Sequence, residues 1–415
     1  MKRSIFISIA SFIALVLIAV WVYILFFSEQ SSVNDQDFAD LNFPETTDSG
    51  FNPEIIEPEV VVDVVNTEVI RQLTTKPVVG FSEGINSKGE KEVWYVEAGT
   101  GHIYTINLEA GNEDRVSGTT FPNIKKAVLT PDSKYVMIEA GRGSSKEHVL
   151  GEWSSSTKEF SFNTITENIV DFTTTVDNTF LFTIRNGEGL IASQYYPISK
   201  TSEILFTIPF NEAVVSWGET ALSTHFIYPK ASSQLEGYLY ESRNGSFERL
   251  PAAGRSLAAI GNENRVMYAS QIEDKYTTSM LRENSKGKTE SINLSLLINT
   301  IPDKCLNYPK NDSFICGTDD LKKDSNTPDE WYRGEVSYSD DIWEINLIEQ
   351  SATRLFEVEK ETGRSIDLIN PMVGNSGDRL YFQNKNDRTL WMFNLPVTEQ
   401  GTTLDDLDNT NDDII

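Results

Sequence analysis

Three short phrases along the chain repeat one order of apolar and polar positions. Ile103-Tyr104-Thr105-Ile106-Asn107-Leu108, Ile342-Trp343-Glu344-Ile345-Asn346-Leu347 and Leu390-Trp391-Met392-Phe393-Asn394-Leu395 each read aliphatic, aromatic, any residue, apolar, Asn, Leu. Each predicts a β-strand whose Asn opens the following turn. A second pattern, strand, polar turn, strand, runs from Ala127 through Thr130-Pro131-Asp132-Ser133-Lys134 to Ile138. It echoes at Asp177–Phe182, Asn264–Tyr268, Asp312–Cys316 and Gly377–Phe382.

These turns fall roughly 43–48 residues apart, with one interval longer by roughly 20 residues, the surplus lying between Thr318 and Asp341. That period is the length of a four-stranded β-propeller blade, and a blade buries its apolar faces only against its neighbours. The spacing therefore predicts an all-β chain, a propeller of about seven blades over residues 68–398. The expected blades are 76–118, 119–163, 164–208, 209–251, 252–295, 296–360 and 361–398, with an insertion at about 319–340 in the sixth. The last is one strand short. Glu68-Val69-Ile70-Arg71-Gln72-Leu73-Thr74 resembles the outer strands of other blades and is predicted to complete it. Such closure removes an open sheet edge.

Ahead of this array, residues 1–4 carry Lys2 and Arg3, and residues 5–27 are uncharged and strongly apolar. A helix of that length reaches roughly 34 Å, enough to cross a hydrocarbon core. The next basic residue is Arg71, so the positive-inside rule places the N-terminus in the cytoplasm and the rest outside. The run is longer than the apolar part of a cleaved signal peptide and ends Tyr23-Ile24-Leu25-Phe26-Phe27, with no small-residue cleavage site. The reading is an uncleaved transmembrane signal anchor and a single-pass membrane protein. Residues 28–67 follow with ten acidic side chains, Pro44, Pro53, Pro58 and no Lys or Arg. That composition predicts an extended, disordered stalk, and residues 399–415 a disordered acidic tail.

Of 415 residues, 62 are acidic and 35 basic, a formal net charge of -27. The balance argues against nucleic acid as a partner, because phosphate contacts need clustered Lys and Arg.

The Thr130-Pro131-Asp132-Ser133-Lys134-Tyr135-Val136 turn resembles the Ser-Pro-Asp-Gly-Lys hairpin of TolB-type propeller repeats, relatives of WD-like repeats. Here Ser133 stands where the repeat usually has Gly. The resemblance implies a rigid disc used for protein binding, and it carries no catalytic residues with it.

Catalytic and cofactor signatures are sparse. The three histidines, His102, His148 and His225, fall in three different blades without metal-ligand spacing, so neither a metal nor a cofactor is expected. There is no Gly-x-Ser-x-Gly elbow. Gly141-Arg142-Gly143-Ser144-Ser145-Lys146 has the composition of a phosphate loop but reads as a hairpin, and Asp406–Asp413 imitates a calcium loop without its Gly or closing Glu. The two cysteines, Cys305 and Cys316, face one another across a predicted turn, either bridged in an oxidising compartment or as two buried thiols.

The insertion holds Thr327–Tyr338, which mixes aromatic and charged residues. Trp331, Tyr332, Arg333 and Tyr338 are candidate interface anchors, against the plainer reading that the loop folds back and buries Trp331 and Tyr332. The expectation is a non-enzymatic extracytoplasmic scaffold or receptor at the cell envelope, docking a protein or an envelope polymer on the propeller face. The alternative is a propeller-class glycan hydrolase or lyase with carboxylates around the central channel.

Overall fold

The computed structural model describes residues 69–396 apart from 87, 142, 144–145, 263–264, 273–274, 284–288, 295–296, 309–312 and 320–327. The anchor, the stalk, the acidic tail and part of the insertion therefore lie outside the described residues. Among the described residues no helix is long and apolar enough to cross a membrane.

The first strand, β1 (Ile70–Gln72), is separated in sequence from the sheet it joins. One four-stranded sheet orders β2 (Val78–Ile85), β3 (Lys91–Glu97), β4 (Ile103–Asn107) and β5 (Glu113–Ser117). The next holds β6 (Lys126–Leu129), β7 (Tyr135–Ala140), β8 (Glu147–Ser154) and β9 (Glu159–Ile165). A third holds β10 (Ile169–Thr174), β11 (Phe180–Asn186), β12 (Gly189–Tyr196) and β13 (Thr201–Ile208).

Then comes a seven-stranded sheet, running β14 (Ala213–Ser216), β15 (His225–Pro229), β16 (Glu236–Arg243), β17 (Ser246–Gly261), β18 (Val266–Ile272), β19 (Lys275–Glu283) and β20 (Thr289–Asn293). It is followed by the sheet of β21 (Cys305–Tyr308), β22 (Ser313–Thr318), β23 (Asp341–Asn346) and β24 (Ser351–Phe356). The last sheet is β25 (Leu368–Val373), β26 (Arg379–Asn384), β27 (Leu390–Asn394) and, fourth, β1. The fold is an all-β propeller.

Among the described residues, five sheets stand as separate four-stranded blades. The seven-stranded sheet differs from the expected separate blades because the 16-residue β17 pairs with β16 along its first part and with β18 along its last. The ladder shifts register between Arg255 and Ala258, and Gly254 and Ser256 both have positive φ (145° and 53°). A bulge of this kind lets one chain turn from the outer edge of one quartet to the inner strand of the next without breaking.

The ring's two ends meet as the pattern foretold. Ile70 pairs with Phe393, Arg71 with Met392 and Gln72 with Trp391. Ile70 is fully buried in a cluster with Phe382, Trp391 and Phe393. The repeated Asn does what its residue type suggests at two of three sites. The Asn107 side chain accepts bonds from the N–H groups of Glu109 and Ala110, and that of Asn346 from Ile348 and Glu349. At the third, the Asn394 N–H donates to the Val69 carbonyl, and the phrase feeds the closing strand. The hairpin turns also agree in shape. Ser133, Asn178 and Gly377 all take positive φ, and each donates its N–H to the carbonyl three residues back.

The only two cysteines are joined. Cys305 lies opposite Cys316 in the β21–β22 ladder, with Cα atoms 4.1 Å apart and the sulfurs bonded. A hydrogen-bonded pair would hold the Cα atoms near 5.5 Å, so this is the closer, non-hydrogen-bonded type of site.

Candidate functional site on the insertion face

The insertion joins β22 to β23, so it emerges from the strand ends that also carry the connections between sheets. Its described part forms a short helix, Asp329–Arg333, ended by Gly334 in the left-handed conformation. Asp329 reaches across to the seven-stranded sheet, where its carboxylate accepts bonds from the Ser233 N–H (2.8 Å) and the Ser256 hydroxyl (3.0 Å). Ser256 is the residue at which β17 changes quartets. The bulge and the loop are therefore tied at one point.

Trp331 is turned inward. It is 5% exposed and packs with Ala269, Tyr276 and Ile301. Its indole N–H lies 2.9 and 2.8 Å from the two carboxylate oxygens of Asp367. The expectation that Trp331 serves as an exposed docking anchor is thus corrected. An indole with its one donor satisfied and its ring buried has no face left for a partner.

Asp367 belongs to a buried charge cluster. Lys304 Nζ sits 2.6 Å from one Asp340 oxygen and 2.7 Å from Asp367, and all three side chains are at most 1% exposed. Asp340 also accepts the Leu368 N–H, and Asp367 accepts the Ser337 hydroxyl and the Tyr338 N–H. Lys385 approaches from the β26 end, 3.7 Å from Asp367, and donates to the Val336 carbonyl. Both ammonium groups lie over the Trp331 ring, at 5.3 and 4.7 Å, and Lys304 lies over the Tyr338 ring at 4.7 Å. Burial pushes the Asp340 carboxyl up to about 6, against the pull of Lys304. Loss of water is the larger effect even with an ammonium at contact distance.

This cluster could not be read in advance. Lys304, Asp340 and Asp367 stand in three separate stretches with no shared motif.

The other nominated residues remain at the surface. Tyr332 is 41% exposed, with its hydroxyl turned onto the carboxylate of the exposed Asp303. Arg333 is exposed and forms a two-pronged pair with Glu335, at 2.7 and 2.9 Å. Tyr338 is half-buried against Lys304. The structure therefore brings Tyr332, Arg333 and Tyr338 onto one short, fastened segment, with Trp331 as its root.

A cavity of about 710 Å³ lies among the inner strands β2, β6, β10 and β25 and the residues that follow β14. Among its described lining residues are two carboxylates, Glu83 and Glu219. Glu83 is already engaged. It accepts the Asn375 N–H at 2.7 Å, lies 3.8 Å from both Lys91 and Arg379, and packs where a side chain on Gly374 would collide with it. That carboxylate fastens the first sheet to the last.

The histidines do not converge. His148 is buried 3.5 Å from Glu139, His225 is held between the Gly218 N–H and the Ala221 carbonyl, and His102 contacts Thr120. Among the described residues no group of three His, Cys, Asp or Glu is placed to hold a metal ion. The Gly141–Lys146 stretch runs between two strands that pair antiparallel, β7 and β8, rather than from a strand to a helix; Arg142, Ser144, Ser145 and the Asp406–Asp413 stretch lie outside the described residues.

No protein-family model matches the chain, and no curated protein is similar to it in sequence. Solved structures share its fold. It is similar to an oligogalacturonate lyase from Vibrio parahaemolyticus, at a TM-score of 0.52 and 11% identity, over 80% of this chain and 96% of that one. An oligogalacturonate lyase in complex with manganese matches at 0.52 and 10% identity, over 81% and 96%. The β-propeller domain of the Trilobed protease from Pyrococcus furiosus matches at 0.47 and 11% identity, over 77% and 94%. At such identities the likeness to the two lyases bears on the fold alone, and the sheets described above supply the architecture. The chain is a β-propeller.

Proposed function

We propose that this protein is a non-enzymatic binding propeller, held at a membrane by residues 5–27 with its propeller on the extracytoplasmic side. It docks a protein or an envelope polymer on the face that carries the insertion. The observation that carries this reading is how the insertion is held. Asp329 bonds to Ser233 and Ser256, and Trp331 bonds to Asp367, all outside the loop's own sheet. Fastening a loop this way lowers the ordering cost of binding, which is what a preorganised docking surface requires. It leaves Tyr332, Arg333 and Glu335 pointing outward as contact groups, with Tyr338 half-buried beside them. The TolB-like hairpin at Thr130–Val136 fits the same class of use.

A photo-crosslinking side chain at position 332 or 333, in intact cells, tests the docking face. Adducts are expected there and not at position 348, an exposed Ile on the opposite strand ends. Equal labelling at all three positions would remove the insertion face from the proposal.

A second reading has one observation in its favour. The Tyr332 phenol is hydrogen-bonded to the Asp303 carboxylate beside the insertion, and such an acid–phenol pair can move a proton. The lyase-like fold of the solved neighbours suits it. Incubation with oligogalacturonate, with and without manganese, tests it through the ultraviolet absorbance of an unsaturated product. Absorbance that rises with the protein and vanishes in Asp303→Asn would favour the enzyme.

A further inference from the structure

The hairpins joining β6 to β7, β10 to β11, β12 to β13 and β14 to β15 lie at the strand ends opposite the insertion. Between them runs a groove of about 800 Å³. Ile198 and Leu222 stand on its walls, 83% and 79% exposed, and the half-buried Tyr196 forms part of its floor. Large aliphatic side chains gathered from adjacent loops around one concavity mark a surface meant to be covered.

The charge around the groove says what covers it. Asp132, Asp177 and Glu203 line it, all exposed, against the single ammonium of Lys134, which is drawn over the Tyr135 ring at 5.2 Å. A second copy of this chain would bring the same carboxylates and a formal charge of -27 to the contact. Residues 28–67 and 399–415 contain no Lys or Arg, so they are repelled too. What complements this groove is a chain of the opposite sign.

We infer that the groove docks an amphipathic segment of a partner protein, its apolar side chains seated against Ile198, Leu222 and Tyr196 and its Lys or Arg residues paired with Asp132, Asp177 and Glu203. Apolar contact supplies affinity, and the carboxylates supply orientation and rate. The site lies away from the insertion and stands or falls separately from the reading above.

The test uses the full chain in detergent micelles and a fluorescent peptide of alternating Leu and Lys, followed by anisotropy. The double variant Ile198→Ser, Leu222→Ser leaves net charge unchanged and is expected to weaken binding roughly tenfold or more. Asp177→Asn with Glu203→Gln should weaken it and flatten its salt dependence. Leu235→Ser, at an exposed residue outside the groove, should bind as the parent does, and equally weakened binding there would overturn the proposal. Unchanged binding by the serine variant, or equal binding of a Leu–Glu peptide, would overturn the proposal. Self-association that disappears in the serine variant would overturn it in favour of a second copy.

Discussion

The indole nitrogen of Trp331, in the insertion helix, lies within 2.9 Å of both carboxylate oxygens of Asp367, 36 positions later and just ahead of β25. That contact joins the insertion to the last blade. It also satisfies an anion that would otherwise face Lys304 and Lys385 with acceptor capacity to spare. The aromatic residue most suited to a partner is therefore spent on holding the loop that would meet one.

Lys304 should be the most costly single change in this cluster. Lys304→Met leaves Asp340 with no ammonium in contact and Asp367 with only Lys385, 3.7 Å away, and removing one member of a buried pair costs about 3–5 kcal/mol. Denaturant titration followed by tryptophan fluorescence is expected to show a lower midpoint. A midpoint within error of the parent would mean the cluster is hydrated in solution.

Asp340 makes stability depend on pH with a definite sign. Its carboxyl is raised in the folded state to about 6, from about 3.9 in an unfolded chain. The folded form thus binds the proton more tightly. Its contribution is complete below about pH 4 and is lost as pH rises through about 6, on the order of 2–3 kcal/mol. The stability of the parent relative to Asp340→Asn should fall across that window, as read by melting at a series of pH values. A difference that is flat with pH would show that the carboxyl stays near its ordinary value.

Closing the ring through β1 predicts a specific failure when it is removed. Ile70→Asp places a charge in the fully buried cluster of Phe382, Trp391 and Phe393. Detaching β1 exposes the β27 edge, and an open edge invites pairing with other chains. Size-exclusion chromatography should show higher-order species, while the exposed Val69→Asp next to it stays monodisperse.

Reduction tests the cross-strand bridge. The Cys305–Cys316 loop is short, with a sequence separation of 11, so losing the bond should cost about 2–4 kcal/mol. Added reductant should lower the unfolding midpoint of the parent and leave a Cys305→Ser, Cys316→Ser variant where it was.

Much of the architecture was legible because it repeats. The Asn107 and Asn346 phrases, the 130–135 turn and the orphan strand before residue 76 all report local periods, and a local period requires no knowledge of what it packs against. Four of the described sheets take four consecutive strands each, whereas β17 runs through the junction between two repeats. No single-residue pattern marks a strand that bends at Gly254 and Ser256 and carries on.

The candidate site was legible only as a composition. Trp331, Tyr332, Arg333 and Tyr338 could be picked out by residue type, but not which of them would turn inward. Sorting them needed Asp367, Lys304 and Asp340, which come from other parts of the chain and meet only when the ring closes. Repetition along the chain settles strands and their order, since each strand's alternation is written in its own few residues. Which side chain is buried and which is offered to a partner depends on charges far apart in sequence, and the folded ring alone brings those together.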